Sequence, residues 1–248
     1  MASLHGANVA LLFDGFDMSG YFNEFAMNAD QAMHDATVFG NTSRVKALGL
    51  KDGKASGTAF FDPTTTVGSY PVLKGKFTGS SPGSPSVATI ALATNGLAVG
   101  NRVVMGYFDE PSLQFKLVLD GLEMMTFAGD TDQDGIDFGV SLHALSAETG
   151  TVNGTAVDNG AATANGGVAA LHVTAIAGAA PSVVIKVQHS TDNATWVDLI
   201  TWAATTAANT TQRTEVAAGT TMRRYQRIVC TFGGTTTSIT FAVTSARR

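Results

Sequence analysis

The stretch DTDQDG at residues 130–135 carries the sharpest chemical pattern in the chain. Asp130, Asp132 and Asp134 alternate ahead of Gly135, like the first half of a calcium loop, where alternate oxygens surround the ion and glycine permits the sharp turn. The twelfth position of such a loop is a bidentate glutamate. Here it is Ser141, and no helical pattern flanks the segment. The expectation is an acidic surface turn between strands, occupied by a divalent ion only adventitiously. The histidines, His5, His34, His143, His172 and His189, are scattered with no His-x-x-x-His spacing and no cysteine pairing. Metal chemistry needs converging ligands, so no metal is expected, and His172 and His189 read as surface or boundary positions of strands. Neither a G-x-S-x-G elbow nor a G-x-x-x-x-G-K-[ST] phosphate loop occurs. The sequence therefore predicts no catalytic residues, no cofactor and no enzyme.

Other reactive residue types have plain readings. Cys230 lies in the apolar run RIVCTF and reads as a small core residue; a single cysteine excludes an intramolecular disulfide and fits cytoplasmic folding. Arg223, Arg224 and Arg227 in MRRYQR predict salt bridges within the fold or to a neighbouring subunit, and the terminal ARR reads as a solvated or interface tail. Asn153, Asn193 and Asn209 open Asn-x-Ser/Thr triplets that a Thr-rich chain contains by chance. Trp196 and Trp202 in WVDLITW are an even number of residues apart and are expected to share one strand face. They serve either as core or as a stacking platform for sugar.

These residues must be positioned by a chain of 248 residues, of which 44% are hydrophobic and only 14% charged, against about 25% charged in an ordinary globular domain. So few surface charges would protect a free monomer poorly; a surface covered by copies of itself needs fewer. The net charge of −5 opposes non-specific binding to nucleic acid. The start, MASLHGANVALLFDGF, has no basic n-region and too short an apolar run for a signal peptide. No run approaches the roughly 20 apolar residues that span a bilayer. A soluble protein without membrane insertion is expected.

The dominant period is two. Phe115, Leu117 and Leu119 share a face in FKLVLDG; Leu171 and Val173 do so in LHVTA; Val183, Ile185 and Val187 oppose Lys186 and Gln188. Ile239, Phe241 and Val243 alternate with Thr240, Ala242 and Thr244. Such alternation predicts antiparallel strands with one buried face. Turns are expected at DG 52–53, 120–121 and 134–135, at NG 95–96, 153–154 and 159–160, at TDN 191–193 and at GG 233–234. Many short strands so spaced suggest a sandwich or barrel. Helical signals are few: residues 21–35 have propensity without a clean period, and 67–77 has room for a short helix interrupted by Gly and Pro. Residues 80–86, SSPGSPS, read as a loop. Composition shifts near 148, where residues 147–171 lose their large side chains to become either a linker or Gly-rich edge strands. Two β-rich domains follow, 1–147 and 148–248.

The segment TVFGNTSRVKALGLKDGKASGTAFFD resembles the region near the start of major tail, or tail tube, proteins of siphovirus-type long-tailed bacteriophages. The matching positions are Thr37, Phe39, Gly40, Thr42, Arg44, Gly49, Leu50, Asp52, Gly53, Gly57, Phe61 and Asp62, with DMSGYFNEFAMNAD ahead of them also similar. The likeness is specific over about 15–65 and extends more loosely to 147. It implies a mainly β, antiparallel sandwich or barrel subunit with few helices, an N-terminal arm and an inter-ring loop. A second β-sandwich-like, decoration-type domain would follow at 148–248. It implies a structural virion protein forming stacked hexameric rings around a conduit for genome ejection. Thr37, Phe39, Gly40, Arg44, Gly49, Leu50, Lys51, Asp52 and Gly53 would then form a subunit interface, with Gly49 and Gly53 permitting tight turns. The implied partners are copies of itself and tape measure, tail terminator and distal tail proteins. DNA would pass through an acidic lumen without specific binding, in a virion tail assembled in the host cytoplasm. The alternative is a host-surface carbohydrate-binding or capsid or tail decoration protein, in which Trp196 and Trp202 contact glycan.

Overall fold

The computed structural model describes residues 9–39, 42–79, 85–92, 95–117 and 121–248, with the backbone alone at 50, 78–79, 110–111 and 132–134. The protein is mainly β and its registered strand pairs are antiparallel, as the period-two patterning implies. It divides into two compact units, each discontinuous in sequence. One comprises Met1–Gly20, Val87–Met105 and Asp137–Arg248; the other comprises Tyr21–Ser86 and Gly106–Ile136. The compositional shift near 148 coincides with the end of strand β7 (Met124–Glu148).

The first unit is built on the pairing of β10 (Gly167–Ser190) with β13 (Tyr225–Arg247), in register from Gly167↔Arg247 to Ser190↔Tyr225. Register shifts between Val173 and Pro181 break this pair into two halves. The early half of β10 adds β12 (Thr210–Val216), while the matching half of β13 adds the end of β7. The late half of β10 adds β11 (Val197–Thr201), and there β13 takes the short strands β8 (Val152–Asn153) and β9 (Val157–Asp158). Leu171, Val173, Phe241 and Val243 from one half join Val183, Ile185, Val187, Ile228 and Cys230 from the other in a single apolar cluster. Strands that switch sheets at a bulged corner are a known way to build a sandwich core. Within 147–171, Val152–Asn153 and Val157–Asp158 thus form short strands on β13, whereas residues 167–171 open β10 as an interior strand between β12 and β13. The remaining strands of this unit are β1 (Leu11–Phe13), β2 (Phe16–Asp17), β5 (Ser86–Ala91) and the start of β6 (Arg102–Lys116).

In the second unit β3 (Phe22–Asp35) pairs with β4 (Lys46–Phe60), whose inner part also pairs with β7 from Lys54↔Asp130 to Phe60↔Met124. Residues 21–35, where the sequence hints at helix, are therefore extended. Phe22, Phe25 and Phe127 cluster at ring-centroid separations of 5.5–5.7 Å, the edge and tilted geometry that aromatic quadrupoles favour. The short helix expected within 67–77 is present as α1 (Ser69–Gly79). Pro71 sits in its first turn, where the missing N–H costs nothing, and Val72 and Leu73 are buried.

Several expectations give way. Asp52–Gly53 is inside β4, residues 130–135 are inside β7, and Gly233–Gly234 is inside β13, so none of these dipeptides makes a hairpin turn. At Asp52–Gly53 and Gly233–Gly234 the strand continues because its partner supplies a ladder, and the register irregularity opposite Gly234 accommodates its positive φ of +59°. The strand expected through 115–121 stops at Lys116, with Phe115 and Leu117 exposed; residues 118–120 lie outside the described residues. Residues 241–246 are buried on both faces, because β13 is an interior strand there rather than a half-solvated one. His172 is wholly buried and His143 and His189 nearly so, not surface residues. His5 lies outside the described residues.

Candidate functional site

The β3–β4 pair projects as a ribbon. Its inner part is three-stranded with β7, and Gly53, Ala55, Gly57 and Ala59 alternate inward. Beyond Gly53, β4 pairs with β3 alone, and residues 28–39 and the described side chains of 42–52 other than Gly49 are exposed. Both faces of the ribbon are open. They carry Met33 at 57% exposure, Val38 at 66%, Val45 at 45% and Leu48 at 70%, with Phe39 fully exposed at the tip. An isolated two-stranded ribbon is only marginally stable in water, and contiguous exposed apolar side chains mark interaction surfaces.

The connection at its end is held locally. Thr37 N–H donates to the Asp35 carboxylate at 2.9 Å, and Val45 N–H donates to Thr37 Oγ1 at 2.9 Å. Hydrogen bonding by the Thr37 side chain, and then by its backbone N–H, holds the Asp35 carboxyl below its usual value. Ala36 N–H donates to Val45 C=O at 2.8 Å. Arg44, Lys51 and Asp52 are exposed on the same ribbon. Gly40 and the Leu50 side chain lie outside the described residues. Gly49 and Gly53 do not turn the chain. A Cβ on Gly49 would stand 2.6 Å from His34 Nε2, and one on Gly53 would stand 2.7 Å from Thr131 Cγ2. Both glycines admit a neighbour's side chain against the strand. At the base Asp62 accepts from Thr64 N–H at 2.8 Å, and Ser69 Oγ accepts from Asp62 N–H at 3.0 Å, tying the end of β4 to α1.

The structure brings Thr37, Phe39, Arg44, Gly49, Lys51, Asp52 and Gly53 onto one hairpin. Sequence reading misses Met33, Val38, Val45 and Leu48 as its apolar content, because no short-period alternation singles them out. The tryptophans separate. Trp202 is 4% exposed within the core, while Trp196 is half-buried with the Arg227 guanidinium 4.3 Å from its ring centroid. The shift that pairs Val187 with Ile200 but Gln188 with Asp198 places a bulge at Leu199, so an even spacing no longer means a shared face. The Arg227 guanidinium occupies one face of the Trp196 ring, where a sugar would stack. Among the described residues no group of three or more His, Cys, Asp or Glu converges as a metal site, and no helix is long and apolar enough to cross a membrane. Asp130 is exposed opposite Lys54.

No protein-family model and no curated protein sequence matches the chain. Solved structures similar in part include a chain of the virion of a native gene transfer agent particle, at 13% identity over 55% of this chain and 98% of that one, with a TM-score of 0.41. A chain of the tail of an empty particle of that kind, refined with C6 symmetry, gives 15% identity over 53% and 95%, with a TM-score of 0.39. The SPP1 tail tube gives 9% over 52% and 76%, with a TM-score of 0.42.

Proposed function

We propose that this chain is a structural virion protein that polymerises as stacked, hexameric rings into the tail tube of a siphovirus-type bacteriophage, a conduit for genome ejection. The observation that carries this reading is the β3–β4 arm, exposed on both faces and tipped by Phe39. Such an arm is completed only by another molecule. The resemblance of residues 15–65 to tail tube proteins supports the same identity for that molecule, a further copy of the chain. Heterologous contacts close into rings or repeat along an axis, according to whether the rotation closes. In this reading residues 148–248, which fold in one unit with 1–20, 87–105 and 137–147, supply the decoration-type part of the subunit, and tape measure, terminator and distal tail proteins meet the ends of the tube, assembled in the host cytoplasm.

The test is assembly of the purified protein, followed by negative-stain microscopy and sedimentation. Wild type should form rings or tubes. Replacing Phe39 and Leu48 together by Ser removes two exposed apolar contacts, each worth about 1.5–3 kcal/mol if buried on assembly. The critical concentration should rise at least about a hundredfold, with an unchanged circular dichroism spectrum. A wild-type chain that stays a single subunit at high concentration sinks the reading.

A further inference from the structure

The first unit holds a cleft of about 640 Å³ whose charged lining includes Arg102, Asp158, Arg247 and Arg248. The start of β6, the β8–β9 segment and the end of β13 supply these side chains. Two of them are matched. Arg224 donates to both Asp158 oxygens at 2.7 Å, and Arg248 donates to both Asp137 oxygens at 2.9 Å and lies 3.1 Å from Glu215. The other two lack a carboxylate. Arg102 is exposed, with no side-chain partner among the described residues. Arg247 is half-buried; its Nη1 donates to the Asn159 carbonyl at 3.4 Å and its Nη2 to the Ala161 carbonyl, while its Nε is buried without an acceptor. Burial presses its pKa down. A guanidinium facing only carbonyls keeps its net charge, and its planar fork matches a carboxylate.

The complementary feature lies on the arm of the second unit. Asp30 and Asp52 are direct partners across β3 and β4, both exposed. Asp52 accepts only the adjacent Gly53 N–H, at 2.8 Å, and Asp30 has no side-chain partner among the described residues. Like charges directly opposite destabilise a ladder, so this pair favours a site that brings cations to it. We propose that the Arg102–Arg247 cleft takes the carboxylates of Asp30 and Asp52 from a second copy of this chain. The inference rests on the self-assembly reading above and names the contact that directs it: two uncompensated guanidinium groups receive two uncompensated carboxylates.

Sedimentation of four full-length chains at low salt tests it: wild type, Arg102→Asp, Asp52→Arg, and the chain carrying both exchanges. Both positions are exposed, and circular dichroism confirms that each variant folds. Each single exchange should weaken self-association at least tenfold, and the double exchange should recover it to within about threefold of wild type. Unchanged association in the single variants, or no recovery in the double, overturns the proposal while leaving assembly itself intact. A wild-type chain that never associates overturns both readings together. Titration with inorganic phosphate separates a free anion from a carboxylate: phosphate binding lost in Arg102→Asp, with association unaffected, assigns the cleft to the free ion and overturns the second-copy contact.

Discussion

Complete burial keeps the His172 imidazole neutral and lowers its pKa to about 4, a shift only partly opposed by the charge of Asp14. Its Nδ1 accepts the Gly15 N–H at 3.3 Å, which leaves Nε2 to donate to Thr89 Oγ1 at 3.0 Å. The unfolded chain takes up a proton near pH 6.5, and the folded chain resists it until about pH 4. This contribution is therefore fully present above pH 6.5 and declines by about 3 kcal/mol as pH falls towards 4. His189, lowered by burial and then by Arg223, acts in the same direction. Urea denaturation at pH 7 and pH 5 should show wild type losing more stability than His172→Asn over that interval. Equal losses would mean that His172 does not carry the acid sensitivity. Nothing near His172 in sequence announces its burial; the residues around it, Gly15, Thr89 and Thr211, come from distant parts of the chain. Cys230 is different, because its apolar neighbours foretell its complete burial.

Strands show the same division between local and distant causes. Val183, Ile185 and Val187 alternate in sequence and are buried in the structure, because that half of β10 has one wet face. The Gly-Gly dipeptide of β13 misleads, since a long partner strand converts a turn signal into a bulge. Gly234 has φ +59°, and a Cβ there would lie 2.1 Å from the Ala180 carbonyl oxygen. Gly234→Ala should cost about 1–3 kcal/mol through strain at that corner, read as a lower urea midpoint at constant slope. A midpoint equal to wild type would show that the corner relaxes freely. The β3–β4 arm was legible as a resembling segment but not as a ribbon. Its glycines look like turn formers, whereas their real constraint is the approach of His34 and Thr131, which only register can reveal.

At the scale of the whole molecule the informative quantity is charge. The chain carries 20 acidic and 15 basic side chains, a net −5 among only 14% charged residues. Two of its arginines are committed to carboxylates, Arg224 to Asp158 and Arg248 to Asp137 and Glu215, and the acidic excess opposes the approach of phosphates. Non-specific DNA binding rests on Lys and Arg releasing condensed counterions, and proteins that use it bind at roughly 1–100 µM in physiological salt. If the proposed tail tube is correct, walls with that affinity would hold the polymer that has to pass through it. Gel retardation with duplex DNA at about 0.15 M salt should therefore show no complex across that concentration range, for the subunit and for its assembled form alike. Micromolar retention that weakens steeply with added salt would mean that the exposed cations dominate over the acidic excess, and a passive channel of this chain would then be physically untenable.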